Sequence, residues 1–190
     1  MLSDLVRKSR SYRRFDESRI IDETDLKELV ELARLTPSSG NMQPLKYLIS
    51  NRSDLNGRIF PHLQWAGYLK DWPGPEEGER PSAYIVILRD TSIFKAQTCD
   101  HGIVAQTMLL GAAEKGLGGC IISNMDRDGL VKDTGIEDHL EILLVLALGK
   151  PAEEVRIVPA STAGDMKYWR DEEGVHHVPK RSLEEIIIKR

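Results

Sequence analysis

The spacing of apolar residues changes several times along this chain, and each change marks an element. Leu26, Leu29, Val30 and Ala33 recur at the three- and four-residue spacing of one helix face. Asp22 stands before them as N-cap with Asp25 at the third helical position, and the helix is expected to stop near Thr36-Pro37, because proline disfavours helical geometry in the residue before it. A short helix is expected over Leu2 to Lys8. Leu45 to Ser50 reads as a strand, and Ala83 to Leu88 as a buried strand of the short continuous apolar kind. Asp100 to Lys115 predicts a long apolar helix rich in small residues (Gly102, Ala105, Gly111, Ala112, Ala113), which let another helix approach closely, within the core or across a dimer seam. Gly119 to Ser123 predicts a strand, Arg127 to Asp133 a short helix, and Ile142 to Leu148 the most hydrophobic strand of all. From Ile59 to Pro81 the pattern breaks up around Trp65, Tyr68 and Trp72, and the run from Pro73 to Pro81 reads as a mobile loop. Leu183 to Lys189 is amphipathic enough to dock on something. Strands and helices mix without regular βαβ alternation, which predicts the α+β class.

Composition narrows the picture. With 190 residues, 41% of them hydrophobic and 29% charged, the chain fits one soluble domain with a sizeable core. A net charge of −4 argues against a general nucleic-acid binder. Asp4 and Arg7 interrupt the start before an apolar leader segment forms, and the longest apolar run, Ile142 to Leu148, is far short of a membrane span. Cys99 and Cys120 show no CxxC spacing and read as buried hydrophobes, so a cytoplasmic location is expected, without disulfides or a zinc knuckle.

Against this acidic background, Arg7 to Arg14 holds five cationic side chains in eight residues. Local positive charge in an acidic chain asks for a local anion, and the planar fork of arginine suits a phosphate. The competing reading is a solvated basic face. The loop from Thr36 to Pro44 offers the hydroxyls of Ser38 and Ser39 and the carboxamides of Asn41 and Gln43, which suit the edge of a planar heterocycle. Its competing reading is a self-satisfied Asx or Ser turn. Gly116-Leu117-Gly118-Gly119 follows a helix and precedes a strand, with Ile at position 121, so it reads as a helix C-cap and tight turn rather than a dinucleotide fingerprint. His62, His101, His139, His176 and His177 have no metal-ligand spacing, and the last two are neighbours expected to point to opposite faces of an extended segment. Ser38 and Ser39 lack the GxSxG context of a hydrolase nucleophile.

The order of these motifs resembles the nitroreductase family of FMN-dependent oxidoreductases. Members open with Arg-Arg-Ser-x-Arg-x-Phe, here Ser9-Arg10-Ser11-Tyr12-Arg13-Arg14-Phe15, and continue after one helix with Pro-Ser-x-x-Asn-x-Gln-Pro, here Pro37-Ser38-Ser39-Gly40-Asn41-Met42-Gln43-Pro44. The likeness runs on through Asp100 to Leu110, Gly116 to Gly119, Leu146 to Pro151 and Val178 to Leu183, and so covers essentially the whole chain. It implies a single domain over residues 1–190, a three-layer α/β/α sandwich around a mostly antiparallel, mixed sheet. Residues 59–81 would form a lid or variable region, and 178–190 a tail docking on a partner subunit. It implies FMN as cofactor, with Arg10, Ser11 and Arg13 on the ribityl phosphate and Lys180 or Arg181 closing on the same anion. Pro37, Ser38, Ser39, Asn41 and Gln43 would line the flavin ring, and Ser123 and Asn124 approach its other side.

The resemblance further implies a homodimer with the flavin at the subunit interface. NADH or NADPH would be the electron donor, and a nitroaromatic, quinone or enone-like molecule the acceptor. No catalytic side chain, metal, nucleic acid or membrane is implied, since the flavin carries the chemistry. Trp65, Tyr68 and Trp72 are the candidates for a lid at the substrate side, with peripheral core packing as the competing reading. The chain departs from the pattern at Ser9, where arginine is common, so Arg10 or the tail is expected to supply that contact. It is also short for the family, which leaves the substrate open. The rival functions are a flavin-binding protein without turnover and a nucleic-acid-binding N-terminal arm.

Overall fold

The most apolar run of the sequence becomes the central strand. In a computed structural model, which describes residues 1–160 and 165–189, the strands are β1 (Phe15–Asp16), β2 (Leu45–Ser50), β3 (Ala83–Asp90), β4 (Gly118–Ile122), β5 (Leu140–Pro151), β6 (Val155–Pro159), β7 (Trp169–Arg170) and β8 (His176–Lys180). The helices are α1 (Leu2–Lys8), α2 (Glu23–Arg34), α3 (Ser53–Ile59), α4 (Asp100–Glu114), α5 (Arg127–Thr134) and α6 (Leu183–Ile186). β5 pairs antiparallel with β1, β3 and β4, and β3 pairs antiparallel with β2.

Alternation along β3 and β5 builds two cores. Ile85, Ile87, Leu146 and Leu148 face α2 and α4, meeting Leu26, Leu29, Val104 and Met108. Tyr84, Val86, Val145 and Ala147 face the other way and meet Ile59, Leu63 and Leu130. Helices cover both faces, which is why these strands read as continuous apolar runs rather than alternating ones. The register shifts between Ile87 and Leu88, where the β5 partner jumps from Leu144 to Ile142 and leaves Leu143 over. That extra residue is why Leu144 sits in the first core and Ile142 in the second.

Gly111 is where α2 meets α4: an added Cβ would come within 2.5 Å of the Leu32 side chain. Part of the small-residue pattern of α4 therefore serves the chain's own core. Gly102, at the other end of the helix, meets nothing within 4 Å.

The mixed character comes from a second, C-terminal sheet ordered β6-β8-β7, in which β6 and β8 run parallel. None of its strands is legible in the apolar pattern, and α3 is likewise unannounced. The run from Pro73 to Pro81 has neither helix nor strand, yet it does not stand free. Gly74 and Pro75 are buried, and an added Cβ on Gly74 would meet the Trp65 indole at 2.7 Å. The expected tail forms β8 and the one-turn α6, and its last residue, Arg190, lies outside the described residues. Among the described residues, no helix is long and apolar enough to cross a membrane.

Candidate functional site

The basic segment does not lie as a free arm. After α1 the chain crosses β4, with Ser11 forming a parallel bridge to Gly119 and the Tyr12 N–H donating to the Gly119 carbonyl at 3.1 Å. Gly118 is needed for this approach, because a Cβ there would lie 2.5 Å from the Tyr12 ring. The glycine run therefore combines two roles. Gly116, at φ 71, caps α4 as expected, and Gly118-Gly119 forms a bare seat for the basic segment.

The arginines divide by task. Arg10 Nη2 donates to the Val6 carbonyl at 2.5 Å, while its Nε is buried without a partner. Ser11 beside it is exposed. Arg13 turns inward: Nη1 donates to the Ser11 carbonyl at 3.1 Å, faces His176 Nε2 at 3.3 Å, and the guanidinium lies 4.8 Å from the Tyr168 ring centroid. Burial, with the positive charge of Arg13 adding to it, pushes His176 down to about 4. The imidazole is therefore neutral at pH 7, and since a guanidinium only donates, Nε2 is its acceptor.

Glu153 ties these pieces together. Its side chain is 2% exposed, and Oε1 accepts from the backbone N–H groups of Arg13 and Arg14, the latter at 3.1 Å. Oε2 accepts from Arg170 Nη2 at 2.9 Å. Arg14 itself pairs with Glu79 at 3.1 Å.

At the other end of α4, Ser38 Oγ donates to the Asp100 carboxylate at 2.7 Å and the Ser39 N–H at 3.2 Å. Asp100 is 3% exposed. Burial alone would raise its carboxyl, but hydrogen bonding from Ser38, Thr98 and the Ser39 backbone outweighs it and holds the carboxyl below its usual range. The loop beyond is wound tightly, with Gly40, Asn41 and Gln43 at φ of 56, 55 and 49. Two non-glycine residues in the left-handed region within three positions are strained, a state that persists only where the surroundings over-determine it. Here Ser38 Oγ also accepts from the Gln43 N–H at 3.0 Å, and Gln43 Nε2 donates to Asn41 Oδ1 at 3.0 Å. The Ser-turn reading and the presenting-loop reading thus both hold. Ser38 is spent on structure, and Pro37, Ser39, Asn41 and Gln43 stand exposed.

Ser123 and Asn124 follow β4 directly and are exposed, with the Ser123 carbonyl accepting from Arg127 Nη2 at 3.0 Å. They lie roughly 13 Å along β4 from the Ser11 crossing at Gly119. Lys180 and Arg181 are not brought to Arg10 within the chain. β8 starts at His176, beside Arg13, and Lys180 lies about 13 Å further on at the opposite end of that strand. Arg181 turns to Glu185 at 3.4 Å.

Of the lid candidates, Trp65 is built into the interior against Gly74, with its ring 6.0 Å from Phe60. Trp72 is flanked by Arg14 at 6.0 Å and Arg170 at 4.8 Å. Tyr68 alone is largely exposed, at 56%, with its ring 5.0 Å from Tyr168. Reasoning from sequence missed Glu153 and the placement of His176, whose partners Arg13 and Arg14 lie more than a hundred residues away, and Arg170, which pairs with Glu153. It also passed over Asp100, although an acidic residue at the first turn of a long apolar helix was a visible signal.

The family model described as "Nitroreductase family" matches residues 6–150. Solved structures repeat the fold at low identity. A nitroreductase family protein from Streptococcus pneumoniae TIGR4 is 17% identical, with 100% of each chain covered and a TM-score of 0.70. A nitroreductase-type protein from Exiguobacterium sibiricum 255-15, solved in complex with FMN, is 19% identical over 80% of this chain and 89% of that one, with a TM-score of 0.65. The gut-bacterial enone reductase CLA-ER is 17% identical over 80% and 90%, with a TM-score of 0.67. With most of its length matched by the family model and its α+β architecture shared with these structures, the chain belongs to the nitroreductase family.

Proposed function

We propose that this protein is an FMN-dependent oxidoreductase that passes hydride from NADH or NADPH to a small acceptor of the nitroaromatic, quinone or enone type. The observation that carries the reading is the seat that the basic segment takes on β4. Arg10, tied to the Val6 carbonyl through Nη2, stands next to the exposed hydroxyl of Ser11 on the bare Gly118-Gly119 seat. A donor-only guanidinium beside a hydroxyl fits a phosphate. The residues present therefore fit the phosphate end of FMN, with Arg10 and Ser11 as its holders. Ser9 leaves that role to Arg10, while Arg13 positions the segment from behind.

Asn41 and Gln43 each carry a donor and an acceptor for the edge of a flavin ring, and Asp100 keeps their loop in its strained form. Ser123 and Asn124 would meet the ring's other side. When bound, FMN accepts and returns hydride, so the chain needs to bind and orient rather than to move a proton. FMN in one relative and enone reduction in another support the cofactor and the acceptor class.

The protein would act as a homodimer. α4 is apolar almost all round, which is the mark of a helix covered on every side. Yet Gly102 and Ile103 are exposed, as are Leu183, Ile186, Ile187 and Ile188 of the tail. A partner's tail is the route by which Lys180 or Arg181 would reach the phosphate.

Steady-state NAD(P)H oxidation by flavin-loaded protein tests the reading, with menadione and nitrofurazone as acceptors. A yellow protein that turns over with at least one of a panel of quinones, nitroaromatics and enones is expected. Retained flavin without oxidation in any pairing would make the flavin structural or sensory. A protein that stays colourless after FMN addition would sink the whole reading.

A further inference from the structure

The segment that follows α3 is fastened at both ends of the candidate site. It starts beside Asn124, where Leu63 forms an antiparallel bridge to Met125 and the Gln64 N–H donates to the Asn124 carbonyl at 3.1 Å. Further on, Tyr68 meets Tyr168, with ring centroids 5.0 Å apart and planes tilted by 59°. The Tyr68 N–H also donates to the Tyr168 hydroxyl oxygen, at 3.4 Å. Tyr168 in turn lies 4.8 Å from the Arg13 guanidinium and 5.1 Å from the His176 ring. Arg13 donates to the Ser11 carbonyl, so this second fastening stands behind the residue expected at the phosphate.

The backbone under Tyr68 is set as well. The Leu69 N–H donates to the Ala66 carbonyl at 2.8 Å and closes a turn around Gly67 and Tyr68. Ala66 is buried at a φ of 36, a left-handed conformation that a residue with a Cβ keeps only where its surroundings over-determine it. On the other side, Arg170, two residues beyond Tyr168, is fixed in the buried ion pair with Glu153. Tyr68 nevertheless stays largely exposed. A tyrosine on a set turn, held at one side and open on the other, offers ring surface at little further cost in side-chain freedom.

Location decides what that surface meets. The segment leaves Asn124, expected at the flavin ring, and reaches the tyrosine pair backed by Arg13, beside the phosphate end. Tyr68 therefore stands on the rim between the two. On the oxidoreductase reading given above, we propose that Tyr168 is a positioning residue that holds Tyr68 at this rim, where the Tyr68 ring packs against a flat aromatic acceptor. The C-terminal sheet thereby takes part in acceptor selection and favours quinones and nitroaromatics over small aliphatic enones.

Menadione titrated into FMN-loaded, oxidised protein without NAD(P)H tests this with no need of turnover, followed by the change in the visible flavin spectrum. Tyr68→Ala and Tyr168→Ala are each expected to raise the menadione Kd about threefold to tenfold, the worth of one aromatic pair. Tyr168→Phe keeps the ring and is expected to stay within about twofold of the natural protein. The double variant is expected to bind no more weakly than Tyr68→Ala alone, because Tyr168 acts through Tyr68. Tyr168→Leu, which keeps apolar bulk, takes the place of Tyr168→Ala if that variant fails to fold. Additive losses would make Tyr168 a structural residue only and overturn the proposal. So would unchanged menadione affinity in Tyr68→Ala, or a Tyr168→Phe as weak as Tyr168→Ala. A protein that takes up no FMN would instead sink the oxidoreductase reading itself, and the proposal with it.

Discussion

Arg13 Nη1 donates towards His176 Nε2 across 3.3 Å, joining the basic N-terminal segment to a strand 163 residues later. The most conspicuous sequence feature of the protein is thus partly internal scaffolding. Its arginines are not one patch. Arg13 reaches His176 in the C-terminal sheet, Arg14 pairs with Glu79 in the Pro73–Pro81 stretch, and Arg10 is tied to the Val6 carbonyl beside the exposed Ser11.

His176 makes stability pH-dependent. Its pKa is lowered from 6.5 in the open chain to about 4 in the fold, so the fold binds fewer protons there. The stabilisation is fully present above the open-chain value and is lost as pH falls from about 6.5 through about 4. Thermal melts across that window should show a drop in Tm for the natural protein and a shallower one for His176→Gln.

Removing the buried carboxylate of Glu153 should be among the costliest single changes. Glu153→Ala leaves Arg170 without its ion pair and the Arg13 and Arg14 N–H groups without an acceptor. A loss of about 3–5 kcal/mol is expected in urea unfolding. Early proteolytic cleavage between β6 and β8 should accompany it. A change under about 1 kcal/mol would mean the pair is not the clamp described.

Asp100→Ala should loosen the Pro37–Gln43 loop, because Ser38 and Ser39 lose their shared acceptor. Stability is expected to fall by about 1–3 kcal/mol. FMN affinity, followed by flavin fluorescence, should fall further than with Asp100→Asn, which keeps an acceptor for Ser38.

Arg10→Ala should weaken FMN retention by about tenfold or more, with little effect on Tm. Dialysis of loaded protein, followed by the visible spectrum, measures the first, and a thermal melt the second. Equal loss of both would return Arg10 to a structural role on the Val6 carbonyl.

Much of the architecture is written locally. The Leu26–Leu29–Val30–Ala33 spacing, the Ile142–Leu148 run and the small-residue helix at 100–115 all form the elements that their periodicity predicts. Burial of an apolar face depends on neighbours a turn or a pleat away, and that information is local. The two motifs of the candidate site are legible in the same way, since turn formers, side-chain amides and clustered arginines declare themselves in short windows. What Trp65, Arg13 and the strands β6 to β8 do is not legible. Arg13 is decided by partners distant in the chain, Glu153 and His176, and Trp65 by Gly74 in an irregular stretch that has no periodicity to read. Strands of two to five residues are too short to carry a periodic signal of their own and form only when a sheet edge meets them. Charge and hydrogen-bond partners are chosen by proximity in space, so the sequence alone determined which groups were available, and the tertiary structure alone decided which of them were used up.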